Sequence, residues 1–192
     1  MLYALAVTGI DEARRQNPKF AKQSQQYGVK AIELIEADKR PEGISVEQWN
    51  KNKAIWLPQL YQSLGLLSFM NGNSAEALPK LEKAAALNPN DPFSFVLLSN
   101  LKNEKYMAGA KQLQGTPAGP ARAEAEKSLN AQLDEVIDLY AHAIGLMEGK
   151  AQYQPLREQL MPDLTNYYKF RHNNSTAGMQ ELINKYKQPA TP

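Results

Sequence analysis

The segment from Pro58 to Asp91 limits the fold of this chain most, because its helix-stopping residues have the spacing of a helical hairpin. Gly72 is expected to end a first helix, since glycine readily adopts the left-handed conformation that a helix end requires. Asn73 or Ser74 can then cap a second helix, and Pro89, which has no amide hydrogen, is expected to end it. The segment therefore predicts two antiparallel helices joined by a short turn.

Small and apolar residues inside this segment predict how the two helices pack. Gly65 and Ala77 are small, so the two backbones can approach closely where they lie. Leu64 on the first helix and Leu81 and Ala84 on the second would form the apolar seam between the helices. The pattern thus predicts a tightly packed pair whose contact depends on a glycine.

These residues resemble one tetratricopeptide repeat (TPR) of bacterial type, a helix–turn–helix unit of about 34 residues. The resemblance lies on positions expected to pack the repeat, namely Tyr61, Leu64, Gly65, Gly72, Ala77, Leu81, Ala84 and Pro89. The chain departs from the family at Ser68 and Ser74, where larger residues are frequent, and at Pro79 inside the second helix. The resemblance implies an all-α fold, a TPR-like α-solenoid of about eight helices that form antiparallel hairpins in a right-handed superhelix.

A second repeat is predicted after Asp91, because the apolar spacing of the first one recurs there. Phe95, Leu98 and Ser99 stand at the offsets that a tyrosine, a leucine and a glycine occupy in the preceding unit. The helices of this unit are longer than the family pattern, so we assign it to residues 92–148.

The remaining residues are interpreted as atypical terminal pairs of one helical-repeat domain over residues 1–192. These pairs are expected over 1–38 and 152–187, since the ends of a solenoid must present a solvated face. The last helix is expected from Ser175 to Lys187, and the tail from Gln188 to Pro192 is expected to fray.

Local signals set several helix ends before any packing is considered. Ser45 and Gln48 fit a capping box, in which each side chain binds the backbone amide of the other residue. The helix that starts there is expected to continue, kinked at Pro58, to about Asn71. Asn17 is expected to cap the second helix of the chain.

Composition excludes several classes of function. The formal net charge of +2 argues against a dedicated nucleic-acid binder, and the absence of cysteine excludes disulfides and thiolate sites. No apolar run has the length needed to span a bilayer. The apolar start Met1–Val7 lacks a basic region and is a poor signal peptide. No compartment is indicated, and a natural start further upstream, with an export signal to the periplasm, stays an open alternative.

Candidate catalytic groups are few. His142 and His172 lie on different predicted helices without a common partner. Asp134 and Asp138 share a helix face, which we interpret as a solvated acidic face, because cation sites recruit more oxygen ligands. The aromatic and basic residues of 167–172 divide between core and surface of a helix, which disfavours nucleic-acid binding. We therefore predict no enzyme, and neither a cofactor nor a metal.

The resemblance implies a functional surface, because the first helices of successive repeats in this family line a concave groove for a peptide or helix. The groove positions map to Gln59, Gln62, Leu66, Phe69, Met70, Phe93, Val96, Asn100 and Asn103. The basic residues with which some members clamp a C-terminal carboxylate are missing there, so we predict an apolar groove with amide edges. Such a groove suits an amphipathic protein segment.

The expected function is that of a non-catalytic adaptor or scaffold that binds a protein or peptide. Three alternatives stay open: a groove filled by the chain's own long helices, a homo-oligomerising module such as a homodimer, and the helical-repeat part of a larger exported or enzymatic protein. The identity of a partner is not encoded in any motif of the chain.

Overall fold

The computed structural model describes residues 1–188, and its regular elements are all helical, which confirms the predicted all-α class. The α-helices of this part of the chain are α1 (Leu2–Arg14), α2 (Ala21–Glu36), α3 (Val46–Met70), α4 (Ser74–Leu87), α5 (Pro92–Gln114), α6 (Pro120–Met147), α7 (Gln154–Arg171) and α8 (Met179–Asn184). Short 3-10 turns over Pro18–Phe20 and Ala151–Tyr153 precede α2 and α7. Residues 189–192 of the tail that we expected to fray lie outside the described residues.

The chain forms two compact units, Met1–Pro89 and Asn90–Pro192, and their boundary falls two residues before the predicted end of the first repeat. In the first unit, α1 pairs with α2 and α3 pairs with α4, and α3 also packs against both α1 and α2. In the second unit, α5 pairs with α6, and both α7 and α8 pack against α6. The helices of the described residues thus pack against one another, while the solenoid arrangement and the single domain over 1–192 stay predictions.

The turn between α3 and α4 has the predicted chemistry. Gly72, two residues after the end of α3, adopts a positive φ of 73°. The side chain of Asn73 accepts a hydrogen bond from the backbone amide of Glu76 at 3.3 Å and so caps α4. The Lys80 ammonium bonds the Glu76 carboxylate at 2.6 Å, and this hydrogen bond is the main reason why the pKa of Glu76 is lowered.

The seam between α3 and α4 depends on Gly65. A Cβ placed there would lie 2.8 Å from both Cγ and Cδ2 of Leu81 and 3.3 Å from the Leu81 backbone nitrogen. Leu81, Ala77 and Ala84 are completely buried, and Leu64 is nearly so. The close helix approach expected from these small residues is therefore confirmed.

Two tryptophans of α3 join the core of the first unit. Trp49 is buried and meets Trp56 edge-on, with the ring centroids 6.3 Å apart. The indole Nε1 of Trp49 donates to Asp38 Oδ1 at 2.8 Å, and the Lys53 ammonium bonds the same oxygen at 2.6 Å. The hydrogen bond from Lys53, followed by that from Trp49, lowers the pKa of Asp38.

Helix α3 continues through Pro58 as predicted, but only part of its capping box forms. Ser45 Oγ accepts from the Gln48 backbone amide at 3.2 Å. The Gln48 side chain donates instead to Asn52 Oδ1 at 2.9 Å. The Gln48 side chain thus bonds Asn52, one turn further along the helix, in place of the expected bond to the Ser45 backbone amide.

The expectation that Asn17 caps the second helix of the chain was wrong. Its side-chain amide donates to Glu12 Oε2 at 3.1 Å, at the end of α1, and makes no cap for the following helix. The residues after it form the 3-10 turn Pro18–Phe20, so α2 begins only at Ala21.

The last helix is shorter than the predicted Ser175–Lys187. Ser175 Oγ accepts from the Ala177 backbone amide at 3.1 Å and closes a turn. Gly178 then has a φ of 87°, which is outside the helical range. Helix α8 therefore starts at Met179, four residues later than predicted.

We expect Gly65→Val to lower the free energy of unfolding by about 1–3 kcal/mol, because its methyl groups must enter the space of Leu81. Urea unfolding followed by circular dichroism measures the change. Gly115→Val is the matched control, since the nearest atom to a Cβ there is the Gln112 carbonyl oxygen at 3.7 Å. Equal losses in both variants would contradict the role of the close approach.

Candidate functional site

The groove positions predicted on α3 lie along one accessible side of this helix. We call them the α3 stripe, which consists of Gln59, Gln62, Leu66, Phe69 and Met70. Gln59 and Met70 are exposed and the other three are half-buried, whereas the intervening Leu60, Leu64 and Leu67 are buried. The structure thus places these five residues together on a surface that the α3 core residues leave open.

The amide end of the α3 stripe is engaged within its own unit. The phenol of Tyr3 in α1 donates a hydrogen bond to Oε1 of Gln59. Burial, followed by the charge of Asp11, raises the pKa of Tyr3, so the phenol keeps its proton near neutral pH. The large apolar members of the stripe, Leu66, Phe69 and Met70, therefore form its accessible remainder.

The groove positions predicted on α5 have mixed surroundings in the second unit. Phe93 is exposed, and its ring meets that of Tyr153 edge-on with centroids 5.6 Å apart. Val96 is buried, and its carbonyl accepts from Ser99 Oγ at 2.8 Å. Asn100 is half-buried.

Asn103, the last of these positions, is tied to α7. Its Oδ1 accepts a hydrogen bond of 2.8 Å from the phenol of Tyr167, and the Tyr167 ring meets Tyr106 of α5 edge-on at 6.0 Å. The Asn103 amide is thus held inside the second unit. Because the α3 stripe lies in the first unit, one groove made from both helices stays a prediction.

A cavity of about 580 Å³ between α1 and α2 was missed from the sequence. Its lining is mainly apolar and includes Leu5, Phe20 and Tyr27. Leu5 and Phe20 are each nearly half exposed. Leu5 is not among the buried residues of α1, and Phe20 lies just before the start of α2. A large apolar residue at each of these positions was the sequence signal for an open apolar surface.

A second cavity, of about 550 Å³, has both charged and apolar side chains in its lining and lies among α6, α7 and α8. Arg171 holds Asp134 through two hydrogen bonds, from Nε at 2.7 Å and from Nη2 at 2.8 Å, and this bonding raises the pKa of Arg171. Asp138 accepts from the phenol of Tyr186 at 2.6 Å. Asp134 and Asp138 thus each bond a residue outside α6, while both side chains stay about half exposed.

The two histidines belong to separate clusters. His142 stacks between the rings of Phe95 in α5 and of Tyr186 after α8, whereas His172 places Nδ1 2.8 Å from the Tyr168 carbonyl oxygen. Among residues 1–188, no group of three or more histidine, aspartate or glutamate side chains could hold a metal ion. None of the helices in the same residues is long and apolar enough to cross a bilayer.

Comparisons of this chain with protein-family models, with curated proteins and with solved structures give no match. The resemblance of residues 58–91 to a TPR thus stays a prediction from the sequence. Any assignment of function must come from the surfaces described above.

We expect Tyr167→Phe and Asn103→Ala each to lower the free energy of unfolding by about 1 kcal/mol, since each removes one partner of the α5–α7 hydrogen bond. The double variant should show a coupling of about 0.5–1.5 kcal/mol. Urea denaturation of the wild type, the two single variants and the double variant gives this coupling free energy. Tyr153→Phe combined with Asn103→Ala is the control pair, and a coupling as large there would refute the assignment.

Proposed function

We propose that this chain is a non-catalytic binding module of TPR-like helical hairpins, which holds an amphipathic segment of a protein partner against the α3 stripe. The observation that supports this most is the accessibility of Leu66, Phe69 and Met70, because large apolar side chains grouped at a surface are typical of protein contacts. The hairpins are proposed to belong to a right-handed solenoid, as the resemblance implies.

The chemistry of the α3 stripe favours a helix or an extended apolar peptide as its ligand. Leucine and phenylalanine side chains contribute buried apolar area, and the flexible thioether of Met70 can adapt to different partners. An amphipathic helix presents the complementary apolar face at matching intervals. Because Gly65 and Leu81 lock α3 onto α4, little conformational freedom of the module is lost when the partner binds.

A protein partner fits the charge of the chain better than a nucleic acid. The formal net charge is +2, and a nucleic-acid site would need several lysine or arginine side chains for phosphate contacts. The α3 stripe consists of apolar and amide side chains.

We expect Leu66→Glu to weaken partner binding about tenfold or more, because a carboxylate on the stripe would lose its hydration in the complex. Immobilised wild-type protein first captures partners from a lysate of the source cells. A captured protein is then purified, and its affinity for wild type and variant is measured by calorimetry. Circular dichroism should show unchanged helicity of the variant.

Val29→Glu is the matched control, since Val29 lies in the same unit and is exposed to a similar degree as Met70. The proposal requires the purified partner to bind this control like the wild type. Equal binding by all three proteins, or equal loss in both variants, would exclude the α3 stripe as the binding surface.

A homo-oligomer is the second candidate, and an exposed apolar patch on the second unit favours it. Phe170 and Met107 are 70% and 54% exposed. Phe170 also borders a cavity of about 320 Å³ that Tyr106 and Leu113 help to line.

Under this second candidate, Phe170→Ser would abolish a concentration-dependent rise in mass, because the side chain that fills the contact is lost. Sedimentation equilibrium over a wide range of protein concentration measures this mass. Leu66→Glu is the control and should leave the mass of an assembly built on Phe170 unchanged. A wild-type protein that remains a monomer at all concentrations would exclude the candidate.

A further inference from the structure

The imidazole of His142 in α6 is enclosed between two aromatic rings. Its centroid lies 3.6 Å from that of Phe95 in α5 and 4.0 Å from that of Tyr186, with interplanar angles of 26° and 12°. Both faces of the ring are therefore shielded from water. The described surfaces and the proposed function make no use of this titratable group.

One of these two rings belongs to the end of the chain. Tyr186 is part of what we call the C-terminal segment, residues 179–188, which consists of α8 and the four residues after it. Ile183 of this segment is completely buried. The segment lies so close to α6 that a Cβ on Gly145 would be 2.5 Å from the Ile183 carbonyl oxygen. The segment is thus fastened to α6 by one apolar contact and one aromatic stack.

Polar contacts complete this attachment. The Tyr186 phenol donates to Asp138 Oδ1 of α6 at 2.6 Å. The Lys185 ammonium lies 2.8 Å from the Tyr186 phenol oxygen and 3.8 Å from Asp138. Further along, Lys150 Nζ donates to Gln188 Oε1 at 3.0 Å.

We propose that His142 makes the C-terminal segment a pH-sensitive clasp, which is closed on α6 while the imidazole is neutral and is released when the imidazole takes up a proton. The geometry carries this inference, because a charge on His142 would arise between two rings that exclude water. Release would uncover the face of α6 around Gly145.

The charges around His142 have opposing effects on its pKa. Burial is the largest cause and lowers the pKa below the ordinary value of 6.5. The Lys185 ammonium, on the C-terminal segment, lowers it further, while the Asp138 carboxylate of α6 raises it. Helix α5 contributes the uncharged ring of Phe95.

The sign of the pH dependence follows from this lowered pKa. The closed state binds a proton on His142 less readily than the open state, in which the imidazole is hydrated. The stabilisation by neutral His142 is thus fully present above pH 6.5 and is lost as the pH falls from there through the lowered pKa. An imidazolium is still attracted to the two ring faces, but it meets the Lys185 charge and has no water on either face.

Two measurements on the full-length wild-type chain test the clasp. A proton NMR titration of the histidine rings should give a midpoint for His142 below 6.5, with assignment through the His172→Phe variant. Hydrogen exchange of peptides covering residues 179–188, corrected for intrinsic rates, should be severalfold faster at pH 5 than at pH 7.5. A His142 midpoint at or above 6.5, or equal corrected exchange at both pH values, would overturn the proposal.

His142→Phe is the variant that separates the charge from the stack, since phenylalanine keeps a ring between Phe95 and Tyr186 but has no proton to gain. Its exchange over residues 179–188 should no longer depend on pH. His172→Phe is the matched control and should keep the pH response of the wild type. A pH response that persists in His142→Phe but is lost in His172→Phe would contradict the clasp. If His142→Phe fails to fold, the two measurements on the wild-type chain decide.

Discussion

The close approach of Gly65 to Leu81 is the contact on which the architecture of the first unit depends. Glycine leaves the space that the Leu81 side chain fills, and the buried Ala77 and Ala84 continue the same seam. Since successive side chains on a helix point in fixed directions, turning Gly65 toward α4 also decides which α3 residues remain accessible. The apolar surface at Leu66 and its neighbours is thus a geometric consequence of the hairpin contact.

Helix ends were predictable where their chemistry is local. Gly72 supplies the left-handed residue after α3, Asn73 caps α4, and Asp91 accepts from the amides of Phe93 and Ser94 at the start of α5. Each of these bonds joins residues at most three apart, so the order of residue types specifies it. The start of α8 was misjudged because the phenol of a buried tyrosine in α7 holds the preceding carbonyl of Ala177.

The surroundings of the candidate site could not be inferred in the same way. Tyr3 and Gln59 are 56 residues apart in the chain, Tyr167 and Asn103 are 64 apart, and Arg171 and Asp134 are 37 apart. Helical periodicity identifies the face on which each residue lies, but it does not specify which residue of another helix meets it. The groove positions were therefore identified as a set, while the engagement of the Gln59 and Asn103 amides emerged only from the packed structure.

That engagement decides what kind of recognition the α3 stripe can perform. With the Gln59 amide already bonded to Tyr3, a partner would gain free energy mainly by burying Leu66, Phe69 and Met70, at about 25 cal/mol per Å² of apolar area. Burial of apolar area has no preferred direction, so selectivity would have to come from the fit between the partner's side chains and the stripe. An adaptor of this kind discriminates by shape and length of the bound segment, whereas the His142 cluster is the place where the chain can respond to protons.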